Sequence, residues 1–488
     1  MNSNTNTQTR VAVQKGKFAS WRQEYGRRAL LLALLFCIGL ALMMNGAVAA
    51  PYRQIAFLLC GLPLLATLTV RLTQAATGSL LRWGILCMAY FLIWALIQST
   101  PLPFDWRAHP VWGSLSDLGI AAQPTLSVAP SKTRAAIPGL ILPFLAFAAI
   151  VLICQERREA IFAWKVLAIL GLALAGLSVL LELVWPTTLF FSRFEVGRGA
   201  FNGIFVNRNT TAAFLGLSSF AVAGWLMLPR PRPRREWPAR EGLAAFGWSR
   251  IILTALLFLL IITLITTRSR AGVTLALLCL TLAFVAVIML RPHAGKTRDD
   301  TSVRRLGKGL KSILICGAGA LLFVAFGEPV LSRMGSVAED GRWCAWASTL
   351  HIIVERPLVG TGFGTFADAF PQYRDAECLG TSSAWTRAHN SYLELLAGMG
   401  LIGGVGLVAA LTVLLRVLIR GVRTRKSLQA IPIMTLGALS FLALHSLLDF
   451  PLQVPGVALY FSALLGAGCA VSILTRVPAR GARDSPRR

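Results

Sequence analysis

Apolar runs of ~17–25 residues recur along the chain, and a helix needs about that length to cross a bilayer. Twelve can be read, over 29–50, 54–70, 83–98, 136–154, 164–185, 210–228, 250–267, 271–290, 312–327, 391–415, 431–449 and 455–475. Of the 488 residues 55% are apolar and 14% charged, whereas soluble domains carry about 25% charged residues. The pattern predicts an all-α polytopic membrane protein of about twelve spans, with no soluble domain and no internal repeat.

The formal charge is +27, which raises the question of nucleic acid. Its distribution answers that question. With the N-terminus inside, 34 of the 48 Lys and Arg residues fall on one side of the twelve-span scheme and 14 on the other. Cytoplasmic loops of membrane proteins collect Lys and Arg in this way. The clusters Arg230, Arg232, Arg234, Arg235 and Arg304, Arg305, Lys308, Lys311 therefore read as topology determinants, not as a nucleic-acid surface. Both termini are expected in the cytoplasm.

Residues 1–28 form a basic tail, 29–475 the integral membrane domain and 476–488 a second basic tail. The first apolar run ends in Ala47-Val48-Ala49, which looks like a signal-peptidase site. The run is longer than a usual signal segment and is read as an uncleaved span. Seven of the nine cysteines lie in predicted spans; Cys344 and Cys378 share one outer loop. That compartment permits disulfides, so these two are expected to pair. No Cys/His zinc spacing occurs.

The largest outer loop covers 328–390. Within it, apolar residues at 343, 346, 350, 353 and 354 have helical spacing, and Pro357 stops the pattern. A surface helix from Arg342 to Arg356 is expected, lying along the membrane. Gly360, Gly362 and Gly364 follow; without a preceding strand they are not a dinucleotide fingerprint. Span ten opens with Ser391-x-x-Glu394, a capping box, and continues through Gly400-x-x-x-Gly404, which suits close helix approach.

The outer side should be poor in cations, so its polar residues stand out. Arg268 and Arg270 sit in the tight turn between spans seven and eight. They suit either lipid headgroups or a diphosphate, which guanidinium binds in bidentate fashion. Arg342 opens the surface helix. Asn207, Arg208 and Asn209 precede span six, together with Arg193 and Arg198. Asparagines there could cap the helix or bind substrate. His389 and Asn390 join the large loop to span ten, and an imidazole at such a junction is a candidate general base. His445 and Asp449 are one turn apart in span eleven. Either they serve function, as ionisable residues in spans often do, or they hydrogen-bond each other. Asp375 and Glu377 are read as a chance pair and not a metal site.

Four patches in order carry a resemblance: FVNRNTTAAFL (205–215), TTRSRAG (266–272), GRWCAW with ERPLVGTGFGTF (341–366) and AHNSYLELLAGMGLIGG (388–404); the later HSLLDFPLQVP (445–455) looks like a patch common in relatives from exopolysaccharide gene clusters. Over about 200–455 the chain resembles the O-antigen ligase and polymerase family of bacterial envelope glycosyltransferases. The resemblance implies a glycan donor on a polyisoprenyl (undecaprenyl) diphosphate carrier. Transfer to an acceptor sugar would occur at the periplasmic face of the inner membrane, without metal or other cofactor. It maps the base to His389 and the diphosphate ligands to Arg270, Arg268 and Arg342. The acceptor is either lipid A–core, as in lipopolysaccharide ligation, or another lipid-linked unit, as in O-antigen or exopolysaccharide polymerisation. HSLLDF tilts toward the second. A protein O-oligosaccharyltransferase and a twelve-span transporter or flippase are the alternatives; a transporter would place its ionisable groups nearer the bilayer midplane.

Overall fold

The computed structural model describes residues 24–70, 72, 74–101, 108–185, 201–229, 239–290, 342–374 and 385–474, with only the backbone over 239–247. No strand occurs among them. The helices are α1 (Glu24–Met43), α2 (Ala50–Ala66), α3 (Ala75–Ser99), α4 (Val111–Asp117), α5 (Pro130–Ile153), α6 (Arg157–Val184) and α7 (Arg208–Leu226). There follow α8 (Ala239–Thr266), α9 (Arg270–Leu290), α10 (Arg342–Glu355), α11 (Phe366–Ala369), α12 (Ser391–Thr424), α13 (Ala430–His445) and α14 (Pro455–Ile473).

Among the described residues nine helices are long and apolar enough to cross a membrane: α1, α2, α3, α5, α6, α8, α9, α12 and α14. α13 is apolar but shorter, at 16 residues. α7 has 19 residues but spends four of them on Thr210, Thr211, Ser218 and Ser219. Eleven predicted spans thus coincide with helices; the span 312–327 lies outside the described residues, as do Asp375 and Glu377.

The centre is built from α7 and α14, which are buried nearly all round. A helix apolar on every face belongs inside a bundle. Small side chains let α14 approach α5 and α13: a Cβ on Gly466 would meet the backbone oxygen of Phe147 at 3.0 Å. Two deep polar groups are satisfied across helices, as a bilayer demands. The Tyr460 hydroxyl donates to Leu167 O (3.0 Å) and Trp164 Nε1 to Ala221 O (2.8 Å).

Hydrogen bonds sort the connections into two ends. At one end Arg27 pairs with Glu156 and Glu159, and Gln74 donates to Gln155 O. At the other, Arg356 donates to Ala108 O, Phe201 N to Thr266 O, and Arg342 to Leu448 O. The second group holds the connections that the charge pattern assigns to one side. This end, which carries α10, is called the loop end below.

α12 is broken at Gly400, whose backbone (φ 64°, ψ −168°) is outside any helical region. A Cβ there would lie 2.1 Å from Leu358 O, so only glycine fits. The break replaces the close helix–helix contact expected of Gly400 and Gly404. Its loosened carbonyls find other donors: Ala397 O takes Thr361 N, Gly398 O takes Gly362 N and Gln98 Nε2, and Met399 O takes Trp94 Nε1. The glycine-rich loop 360–364, with φ of +69°, +108° and +77° at its three glycines, is therefore a plug against α12.

Candidate active site

The loop end is assembled from three junctions. In the first, Asn207 caps α7 by accepting from Asn209 N (2.8 Å). Asn209 Oδ1 in turn accepts from Ser269 Oγ (2.8 Å) in the turn before α9. Gly272 lies against α7, where a Cβ would come within 2.5 Å of Ala212. Ser269 and Thr267 are buried, Arg268 is exposed with φ +53°, and Arg270 is half-buried as the first residue of α9. Arg208 is half-buried as the first residue of α7. The two asparagine oxygens are occupied by structure, so the capping reading accounts for them and leaves their NH₂ groups for other partners.

The second junction is α10. Its small face, Ala345, Ser348, Thr349 and Ile352, is buried, while Trp343, Leu350 and Val354 are exposed. Of the apolar stripe predicted from spacing, Trp343, Leu350 and Val354 thus face away from the protein body, as suits a helix seated on an apolar surface, while Trp346 and Ile353 are half-buried against it. Cys344 is disulfide-bonded; its partner, like Cys378, lies outside the described residues. The six described cysteines other than Cys344 are free.

The third junction holds His389 in a left-handed backbone conformation, φ +51°. Such geometry in a non-glycine residue persists only where its surroundings enforce it. Here they do. Trp346 Nε1 donates to Ala388 O (3.0 Å), and Ala388 N donates to Glu394 (3.1 Å), which also pairs with Arg387 (2.8 Å). Asn390 caps α12 through Tyr392 N and Leu393 N. The cap is therefore Asn390 and not Ser391; the Ser391 hydroxyl donates instead to Asp449 O, and its amide to Ser446 O. The imidazole is flanked edge-on by Trp385 and Phe450, at 5.5 and 4.9 Å between centroids.

α13 stops at His445, four residues short of the predicted end. Pro451 disfavours helix for the residue before it, and the Asp449 side chain accepts from Phe450 N (2.8 Å). The Asp449 amide still donates to His445 O (3.0 Å), but its carboxylate does not hydrogen-bond the His445 ring. Its Oδ1 stands 3.5 Å from His389 Nδ1, within ion-pair range but off the line of a formed hydrogen bond. Arg342 Nη1 donates to Leu448 O (3.0 Å), one residue away. Burial pushes the Asp449 carboxyl up, but His389, His445 and Arg342 outweigh it and hold the acid below the usual carboxylate range.

His389 and Arg342 thus converge on the turn after α13. Arg270 stands at the same end. Phe441 of α13 packs at Gly216 of α7, beside Ala276 of α9, so the His445 end of α13 rises with the starts of α7 and α9. Asp449 as the partner of His389 was missed by sequence reasoning, because the i, i+4 spacing pointed to His445. Among the described residues no group of three His, Cys, Asp or Glu side chains could hold a metal ion.

No curated protein matches this sequence. Residues 255–408 match the family described as O-antigen ligase. The matched stretch contains Arg268, Arg270, Arg342, His389 and Asn390; Asn207–Asn209, His445 and Asp449 fall outside it. Residues 255–408 are thus similar to the O-antigen ligase family, and this similarity supports, in general terms, a membrane glycosyltransferase of ligase or polymerase type.

Proposed function

We propose that the protein transfers a glycan from a polyisoprenyl diphosphate to an acceptor sugar at the periplasmic face of the inner membrane, with His389 as the general base. The observation that carries this is the convergence of His389, Asp449 and Arg342 on one turn. The acceptor hydroxyl gives its proton to His389 as its oxygen bonds to the anomeric carbon. The bond from that carbon to the diphosphate oxygen breaks, and the electron pair leaves on the diphosphate. With Nδ1 turned to Asp449, Nε2 is the nitrogen left for the acceptor. The carboxylate favours the imidazolium that forms.

Charge grows on the leaving diphosphate, and fixed guanidinium donors aimed at that charge are the natural stabilisers. Arg342 and Arg270 supply them, with the exposed Arg268 beside Arg270. The amide NH₂ groups of Asn207, Asn209 and Asn390, with Arg208, would contact the saccharide. This chemistry uses no metal. The 34-to-14 charge split supports the orientation, with both termini cytoplasmic and the loop end outside.

The test is transfer by the purified protein in lipid nanodiscs, supplied with a lipid-linked oligosaccharide and either lipid A–core or a second lipid-linked unit. Chain growth on the second acceptor supports the polymerase reading, to which the HSLLDF patch tilts; product on lipid A–core alone supports a ligase. Failure with both, in protein that binds the donor, contradicts the reading.

A further inference from the structure

Buried polar atoms are nearly always hydrogen-bonded, so a cluster of unpaired ones calls for an explanation. Such a cluster sits at the end of α13. His445 is fully buried, and both of its ring nitrogens lack a hydrogen-bond partner. Ser446 Oγ and Asp449 Oδ2 lack one as well, and all three residues are at most 3% exposed. A phenylalanine would fill the ring's place, since the imidazole already stacks on Phe441 (5.7 Å, 20° between planes). A bare imidazole in an apolar bundle costs free energy that Phe would not.

Burial arranges these groups in a series. The His445 residue is 0% exposed, while the side chains of Asp449 and His389 are 4% and 25% exposed. Substrate can reach His389 but not His445. The Asp449 amide donates to His445 O (3.0 Å), so the backbone fixes the carboxylate one turn above the inner ring. Other polar groups face the same turn. Arg342 reaches it from α10, and Tyr392 of α12 donates to Ala443 O (2.8 Å). Arg270 and Arg208 start α9 and α7, which pack on α13, and α14 opens there with Pro455 and no charge.

We infer that His445 is a positioning residue for the transfer reaction, acting from inside the bundle through Asp449 to keep that carboxylate ionised and aimed at His389. This rests on His389 being the base. A carboxylate this deeply buried is stable as an anion only with donors or cations around it. When His389 takes the acceptor's proton, Asp449 must remain charged to hold it. His445 supports Asp449 from the side that solvent and substrate cannot reach, directly or through a water lodged among the unpaired atoms.

The experiment uses the full-length protein in nanodiscs with a lipid-linked donor and a saccharide acceptor. His445→Phe keeps the stack on Phe441 and removes both nitrogens. It should lower kcat about tenfold or more while both KM values stay within about twofold. His445→Gln restores polar ends and should recover part of kcat. In an Asp449→Asn background, His445→Phe should cost little more. Unchanged kcat in His445→Phe, or a change confined to KM, overturns the inference. If the Phe variant does not fold, the Gln variant decides, and wild-type kcat there, with no change in the melt described next, has the same meaning.

A second readout is independent of the base assignment. In a His389→Ala background, His445→Phe should raise the pH at which acid lowers the melting temperature, because Asp449 protonates more readily. If His389→Ala transfers glycan normally, the base reading falls, yet this shift would still establish His445 acting on Asp449. An unchanged melt profile removes the inference alone.

Discussion

His389 Nδ1 stands 3.5 Å from Asp449 Oδ1, and the two residues come from segments 60 positions apart that are locked together by Ser391. Asp449→Asn keeps the shape of the contact and removes its charge. Transfer should fall about 10–100-fold, since the buried charge that faces the base is gone. Steady-state rates on folded variant protein check this. Wild-type transfer in Asp449→Asn would mean that the pair is not coupled to catalysis.

The same acid makes a stability prediction. Its folded-state titration lies below the ordinary carboxylate range, so its stabilisation is present above the unfolded-state titration and is lost as pH falls through the folded one. Wild type should therefore melt above Asp449→Asn at neutral pH, and the gap should close as pH falls below about 4. Thermal melts in detergent at stepped pH would show it.

Arg270→Lys and Arg342→Lys retain positive charge but lose the planar fork. If these residues clamp a diphosphate, each should reduce transfer by about tenfold or more while protein yield and insertion are kept. Arg342 has a second duty, its bond to Leu448 O, so its variant should also melt lower. Full transfer in both Lys variants would leave the arginines as headgroup anchors.

Gly400→Ala places a Cβ against Leu358 O at a position already in left-handed backbone. The loop 357–364 must then leave α12, freeing the carbonyls of Ala397 and Gly398 within the bundle. We expect a loss of at least a few kcal/mol, enough to prevent recovery of folded protein. Gly404→Ala, which meets only the Leu396 side chain at 3.1 Å, should be mild. Expression with size-exclusion chromatography separates the two.

Cys344 is disulfide-bonded, and Cys378 is the expected partner. Peptide mapping without reduction should recover the two in one species. Cys344→Ser and Cys378→Ser should lose similar stability, and the double variant no more than either. A crosslinked peptide joining Cys344 to Cys316 would replace this pairing.

Much of this was readable in advance because bilayer physics is restrictive. Length and apolarity found eleven helices, and Pro357 marked the end of α10 to within a residue or two. His389, Arg342 and Arg270 stood out as polar groups on the side that should lack cations. What was not readable depends on tertiary contact. The i, i+4 spacing of His445 and Asp449 suggested a pair, but Pro451 ends the helix and gives Asp449 to His389. Gly400 looked like a helix-packing glycine, and only the arrival of Leu358 reveals it as a break. Ser391 looked like a cap, and the neighbouring Asn390 takes that role because Ser391 binds across to Asp449.

The central claim is that His389 removes the acceptor's proton. Its most direct test is single-turnover transfer by purified His389→Ala protein, with donor binding measured on the same sample. Loss of rate on the order of 10²–10⁴-fold, with the lipid-linked donor still bound and unconsumed, is the result predicted. Transfer at the wild-type rate by folded His389→Ala protein would contradict it.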